Sequence, residues 1–341
     1  MMLPGRNQGR RRGFAALLPA IVATLAAASP CLAADDWFPL RNQNPFVNIF
    51  GVPAFEGASV AGKGVSLYRL GFDVANHADI GEIGSEAIVI DGESYFLELA
   101  FKRGISERLE VGVEVPFVSH RGGILDEAIY RWHDWLGLSN TKRERPSNQL
   151  LFSYDNQSNI DFSLASSGTG IGDIRITAGY ALASAQGLDG IDLAIRSTLK
   201  LPTGDPDQLR GSGAADVALS LHASQERFFG RESLSATCLI GILWIGDSDF
   251  FAPIQEDTVP FFGGAVSWRT HERVEILGHL YAQGYFYDSA LDELSGKSIQ
   301  LGLGANYRLK SNKLLFSIGF IEDVVGDTTP DFALHFSLRS L

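Results

Sequence analysis

The sequence predicts an all-β protein, a membrane-spanning antiparallel β-barrel of about 12 strands. Three observations predict it. First, residues 94–117 read as two alternating strands joined by a short polar turn. In the first arm Tyr95, Leu97, Leu99 and Phe101 alternate with Phe96, Glu98, Ala100 and Lys102. In the second, Leu109, Val111, Val113, Val115 and Phe117 alternate with Glu110, Gly112, Glu114 and Pro116. Period-2 alternation marks a strand with one apolar face. Second, each arm runs roughly 9–11 residues, the span a tilted strand needs to cross a bilayer. Third, the unit recurs down the chain, and its connections alternate between short and long. Short periplasmic turns and long extracellular loops are the pattern of an outer-membrane barrel.

The chain opens on an export signal, residues 1–33. Arg6, Arg10, Arg11 and Arg12 form its basic region, residues 14–28 its apolar core, and Cys31-Leu32-Ala33 its cleavage site. Pro30 stands where a lipoprotein signal needs a small residue before Cys31. With Cys31 removed, Cys238 is the single remaining cysteine, a small hydrophobe on an outward apolar face. Four arginines leave with the signal, so 24 of 28 bases face 40 acids, a net of −16 that argues against nucleic acid as a partner. Past the signal, no run reaches the ~18 apolar residues of a spanning helix. The 37 Gly, 22 Phe, 9 Tyr and 5 Trp suit strands, turns and interfacial girdles instead.

Residues 34–62 carry Pro39-Leu40-Arg41-Asn42-Gln43-Asn44-Pro45-Phe46 and Val52-Pro53, which argue against a regular element. They read as irregular chain at the periplasmic mouth, tucked into the lumen or trailing as a loose leader. Residues 63–341 form the barrel. Its strands follow at 64–75, the two arms of 94–117, 172–184, 190–201, 214–224, 232–245, 261–270, 273–285, 298–309, 313–321 and 331–341. Short turns lie at 104–108, 185–189, 225–231, 271–272 and 310–312. Long loops lie at 76–92, 119–170, 203–211, 246–258, 288–296 and 322–330. Even numbers are the rule in bacterial barrels. Residues 149–154 and 159–165 therefore give 14 strands if both count and 12 if they form an extracellular hairpin, the preferred reading.

Inside the longest loop, Ile124, Leu125, Ala128, Ile129, Trp132, Trp135 and Leu136 recur at helical spacing and predict a short amphipathic helix over 124–137. His133-Asp134 has no Ser or Cys nucleophile beside it, so no catalytic residue is assigned and the protein reads as a non-enzyme. An inward Ser–His pair near the outer rim is the arrangement that would bring a hydrolase back. Gly168-Thr-Gly170-Ile-Gly172, Gly211-Ser-Gly213 and Gly302-Leu-Gly304 lack the strand-before, helix-after context of a dinucleotide fingerprint. They read as glycines for curvature and close approach. The seven His show no metal-ligand spacing, and neither metal nor cofactor is expected.

Charge placement says more. The alternation turns Asp73, Glu98, Glu110, Glu114, Asp173, Asp192, Asp216 and Glu275 inward, with Arg69, Lys102, Arg175, Arg196, Lys200, Arg308 and Arg339. Eight acids against seven bases can pair across strands, which favours a polar, partly filled lumen over an open hole. The six long loops hold 22 acids and 6 bases. Their densest group is Asp247, Asp249, Glu256 and Asp257, in a loop with no base, which predicts an acidic rim.

Several stretches together resemble a proteobacterial family known only as domain of unknown function 3187. They are residues 39–46, the Gly122-Gly123-Ile124-Leu125-Asp126 segment and its helix, Gly170-Ile171-Gly172-Asp173, and Lys200-Leu201-Pro202-Thr203-Gly204-Asp205. A barrel family linked to degradation of phenols by meta-cleavage has something similar to the last. The resemblance implies an outer-membrane barrel of unassigned function, with outer-membrane lipid, lipopolysaccharide and the barrel-assembly machinery as partners. Such barrels usually end in Phe, whereas this chain ends Arg339-Ser340-Leu341, with Phe336 its last aromatic. The expected activity is passage or binding of small solutes. The alternative is a plugged structural or surface-interaction barrel without flux.

Overall fold

A computed structural model of the chain describes residues 36–125, 131, 148–184, 190–309, 313–325 and 328–341. The predicted signal and its cleavage site, nearly all of the predicted loop helix, and the turns at 185–189 and 310–312 lie outside the described residues.

Among the described residues the strands are β1 (Ser66–Ile83), β2 (Glu86–Gly104), β3 (Leu109–Arg121), β4 (Leu151–Asp155), β5 (Asp161–Leu164), β6 (Gly168–Ile171), β7 (Arg175–Ala183) and β8 (Ile191–Lys200). They continue with β9 (Asp216–Gln225), β10 (Leu234–Trp244), β11 (Thr258–His271), β12 (Val274–Gln283), β13 (Ser298–Arg308), β14 (Leu314–Val325) and β15 (Phe332–Ser340). All pairings are antiparallel, β3 passes to β7, and β1 pairs with β15 to close the ring. With β6 and β7 sharing one position, this is a closed barrel of twelve staves. Closure follows from the solvent: lipid offers no partner to a backbone N–H or C=O, so a membrane-crossing sheet can leave no free edge.

The faces are inverted relative to a soluble sandwich. Ile176, Leu199, Leu219, Ile240, Phe262, Leu280, Leu303 and Ile318 are exposed on the outside, while Glu98, Glu114, Arg196, Lys200, Asp216 and His335 are buried within.

Three features bear on the sequence reading: the first and third depart from it, and the second is the hairpin it preferred. Residues 76–92 are strand, not loop. β1 and β2 continue in register from Asn76↔Glu93 to Ile83↔Glu86 and turn on Gly84-Ser85. Gly84 sits at φ +62, the left-handed geometry that a two-residue hairpin turn needs at its first central position. Second, β4 and β5 form a hairpin that is not a stave. β4 pairs only with the outer part of β2, Ala87–Asp91 opposite Leu151–Asp155, and leans over the long-loop end. Third, the leader contains one helical turn, α1 (Pro45–Asn48). Asn44 caps it by accepting from Phe46 N at 2.9 Å, and Pro45 occupies the first turn, where a missing N–H is harmless. A similar turn, α2 (Asp292–Ser295), lies in the loop between β12 and β13.

The stave shared by β6 and β7 is interrupted where it runs beside β3. Phe117 faces Ile171 in β6, yet Glu114 faces Arg175 in β7, so residues 172–174 hold one extra residue. A bulge of this kind re-aims the side chain it carries. Here that side chain is Asp173, 4% exposed.

A charge on the outer face should be far costlier than the same charge at a strand end. Val113→Arg should cost about 2–4 kcal/mol, against roughly 0–1 for Thr270→Arg beside a short turn, in a urea titration of the refolded barrel. Equal costs would refute the outward assignment of Val113.

Candidate functional site

The lumen is occupied by the leader. Residues 36–62 enter at the short-turn end, rise along the interior, turn near α1 and descend to β1. The two limbs touch where Phe55 N donates to Leu40 O at 2.8 Å. Trp37, Phe38, Leu40, Phe46, Val47, Ile49, Phe50, Val52 and Phe55 are all buried. At the long-loop end, Phe46 meets Phe162 of the β4–β5 hairpin and Phe251 edge-on, and the Tyr287 hydroxyl donates to Phe46 O at 2.6 Å. The hairpin thus caps the apex of the leader.

Three clusters of charge tie leader to wall. At the short-turn end Asp36 pairs with Arg339 and, at 3.2 Å, with Arg308. Glu275 accepts nearby from Ser267 Oγ at 2.7 Å and Asn306 Nδ2 at 3.2 Å. On the descending limb Glu56 pairs with Lys102 and lies 3.4 Å from Arg196. Arg196 also meets Glu110 at 2.5 Å and donates to Gly57 O at 2.8 Å. Glu110 accepts from Ala61 N at 2.7 Å, and Ser59 Oγ lies 3.5 Å from Asp192. Halfway up, Arg41 forks onto Glu98 at 2.8 Å and Glu114 at 2.9 Å, while Arg69 holds Glu98 from the wall at 2.6 Å. Burial alone would lower the Arg41 guanidinium, but Glu98 and Glu114 together raise it above its ordinary value. Burial likewise pushes Glu56 up, and Arg196 and Lys102 outweigh it to hold the carboxyl well below the usual range. The contribution of Glu56 to docking is therefore complete above the ordinary carboxylate range and is lost as pH falls below it.

The apolar seat is as specific. Phe38 lies 4.2 Å from the His279 ring and stacks at 5.3 Å on His335, whose Nδ1 meets Asp73 at 2.6 Å. The ring fits a slot left by glycines. A Cβ on Gly304 or Gly319 would come within 2.6 or 2.9 Å of it, and one on Gly302 within 2.6 Å of Leu40. This close approach is why the strands carry Gly-Leu-Gly.

Further out lies a fully buried lysine. Lys200 is 0% exposed, with Asp173 at 2.9 Å and Asp216 at 3.1 Å, and it donates to Ile49 O of the leader at 2.8 Å. Asp173 also accepts from Thr203 N and Gly204 N, at 3.0 and 2.8 Å, and Asp216 from Gly51 N of the leader at 2.8 Å. The stretches 170–173 and 200–205 thus form one structural unit. The bulge aims Asp173 at both the lysine and the Thr-Gly backbone, which folds the β8–β9 loop inward.

A Ser–His arrangement also lies near the outer rim. Ser94 Oγ stands 3.0 Å from His77 Nε2 and 2.9 Å from His120 Nδ1, and His120 Nε2 faces Leu209 O at 3.2 Å. Ser94 is 0% exposed, no carboxylate among the described residues orients either imidazole, and the Phe152 ring closes over both. The group ties β1, β2 and β3 to the inward loop.

Asp247, Asp249, Glu256 and Asp257 lie exposed between β10 and β11 at the long-loop end, with no ion pair among the described residues. Sequence reasoning missed Asp36, Arg41 and Glu56 as partners of the wall. The available signal was composition: their segment is too rich in Trp, Phe, Val and Ile for a solvated leader.

A closed twelve-stave antiparallel barrel with an apolar outer face and buried ion pairs inside has the fold of an outer-membrane β-barrel. The chain belongs to the family described as "Protein of unknown function (DUF3187)", whose model matches residues 15–340. No curated protein matches it. Among solved structures it is similar to an outer membrane channel from Pseudomonas putida F1, with a TM-score of 0.52 and 12% identity over 83% of this chain and 97% of that one. The NanC porin follows at a TM-score of 0.44 and 9% identity, covering 81% and 98%. The CymD monoaromatic hydrocarbon channel aligns at 0.39 and 12%, covering 91% and 94%. At such identities the first likeness is one of fold.

Two outcomes test the seat. Lys200→Met leaves two buried carboxylates without their cation and should cost about 3–5 kcal/mol in a denaturant titration. Gly304→Leu should displace Phe38 and expose residues 36–62 to added protease, with the barrel itself remaining protease-resistant.

Proposed function

We propose that the protein is an outer-membrane channel for small solutes, closed at rest by its own N-terminal segment. The observation that carries this reading is the manner in which residues 36–62 are held. They join no strand ladder and are fixed by side-chain contacts with the wall. Such a segment can leave without unzipping the barrel. The export signal and the fold together favour the outer membrane of a Gram-negative bacterium, reached through the barrel-assembly machinery, with lipid and lipopolysaccharide as neighbours. The inward charges act in this reading as the latch of the plug. In this reading Ser94 is structural, since it is buried and has no orienting acid among the described residues. The acidic rim draws cations to the mouth over about one Debye length, ~8 Å at physiological salt.

A second reading has its own support. Two spaces beside the leader are small, one of about 80 Å³ and one of about 10 Å³, which favours a permanent plug and a surface-interaction barrel. Single-channel recording separates the two. The refolded wild type should be nearly silent, and Arg41→Ala with Glu56→Ala should open repeatedly, with cation preference at low salt that fades as salt rises. Replacing Asp247, Asp249, Glu256 and Asp257 by Asn or Gln should then shift the reversal potential. Silence in the double variant, with its leader accessible to protease, would rule out the channel. The same four replacements should in that case weaken Mg²⁺-dependent association with lipopolysaccharide.

A further inference from the structure

One inward charge is not part of the latch. Arg175, at the start of β7, is 2% exposed and makes no hydrogen bond or ion pair with any described residue; its Nε is buried without an acceptor. It faces Lys200 directly across the β7–β8 ladder, and Arg41 is near enough to repel it. Glu98, Glu114 and Asp173 act on it only from beyond ion-pair distance. Those carboxylates are engaged elsewhere. Glu98 and Glu114 are held by Arg41 and Arg69, and Asp173 by Lys200 and the backbone of Thr203 and Gly204. A guanidinium carries five N–H donors, and leaving it buried without an acceptor is costly.

Arg175 opens onto a cavity of about 10 Å³ that Arg210, His120, Asn48 and Asp173 also line. Arg210 gives Asp205 one nitrogen at 2.6 Å, and its Nε too is buried without an acceptor. The glycines of the 168–172 segment make room for it: a Cβ on Gly170 would stand 2.7 Å from that Nε. A buried and a half-buried guanidinium thus each bring an unmet, buried Nε to one place, at a volume of about one water-sized sphere. Asn48, the last residue of α1, brings the leader to the same cavity.

We infer that Arg175 and Arg210 form an anion site beneath the long-loop end, sized for a chloride ion or for the terminal oxygen of a solute carboxylate. As the identity of what the lumen admits, the site rests on the channel reading. Because the rim favours cations, an anion held here is recognised by hydrogen bonds and not gathered by the field of the mouth. With Asn48 on the cavity wall, the bound anion touches the plug.

The test uses the refolded full chain in detergent, in anion-depleted buffer, with ionic strength set by a bulky organic sulfonate too large to enter. Chloride, and separately acetate, should raise the thermal midpoint of the wild type by about 2–4 °C in a saturable way. Arg175→Met should lose this response, and its midpoint in the depleted buffer should equal or exceed that of the wild type, because an unmet buried charge has been removed. Arg175→Lys, which keeps the charge without the fork, should respond more weakly than the wild type and serves if the Met variant fails to fold. A response to chloride alone identifies a halide site, and a response to both identifies a carboxylate-accepting one. Superimposable responses in wild type and variants would overturn the proposal. So would a lowered midpoint for Arg175→Met in depleted buffer, which would make the guanidinium a structural counter-charge to Glu98 and Glu114. Silent bilayers with an intact chloride response would defeat the channel reading and leave the site standing.

Discussion

Inward-facing charges in a narrow barrel are costly to leave unpaired, and in this protein the wall does not pair all of its own. Among the described residues Arg69 is the wall arginine paired with Glu98, at 2.6 Å, and with Glu114, at 3.6 Å, and Arg41 of the leader supplies the second cation to both. Arg308 and Arg339 lie together at the short-turn end until Asp36 comes between them. Glu56 does the same for Lys102 and Arg196. The leader's charges are complementary to the wall cluster by cluster, and the apolar residues between them fill what the side chains of the wall leave open. Barrel and leader are therefore one folded unit, although only the barrel carries a ladder.

The same constraint explains the family stretches as physical parts. The bulge at 172–174 exists to aim Asp173. Asp173 allows Lys200 to be fully buried, and Lys200 reaches the leader through Ile49 O. Thr203 and Gly204 give their N–H groups to the same carboxylate and draw the following loop inward, which brings Leu209 and Arg210 against His120 and the cavity before Arg175. One chain of contacts thus runs from the β8–β9 loop to the leader. In the proposed channel, this is the route by which a change at the long-loop end would reach the leader.

Glycine placement shows the opposite strategy to charge. Where Phe38 enters, the wall withdraws to Gly302, Gly304 and Gly319 so that an aromatic ring can lie flat against backbone. Histidines line the neighbouring surface, His279 and His335 with Phe38 and His222 with Glu56 O at 2.9 Å. Rings of intermediate polarity suit a surface that meets both an aromatic leader and a polar wall.

The sequence by itself determined the class, the positions of the staves and the outward face of all but those at 261–270 and 273–285, because these follow from local periodicity: two residues per repeat, about ten per crossing. Its reading of 149–165 as a hairpin also rested on local signals, the short and mixed arms. Local signals failed at 76–92, where Asn, Asp and Gly suggested a loop. Above the membrane a strand no longer needs an apolar face, and only its partner keeps it extended. The partners of the charges were beyond reach for a related reason. Alternation assigns a side chain to a face but not to another side chain, and Asp36 meets Arg308 and Arg339 across 272 and 303 residues of chain. Only closure of the barrel brings those positions together. Whether residues 34–62 trail loosely or fill the lumen was likewise open in the sequence. The tertiary structure decided it, because the seat for Phe38, Arg41 and Glu56 exists only when strands from both ends of the chain stand side by side.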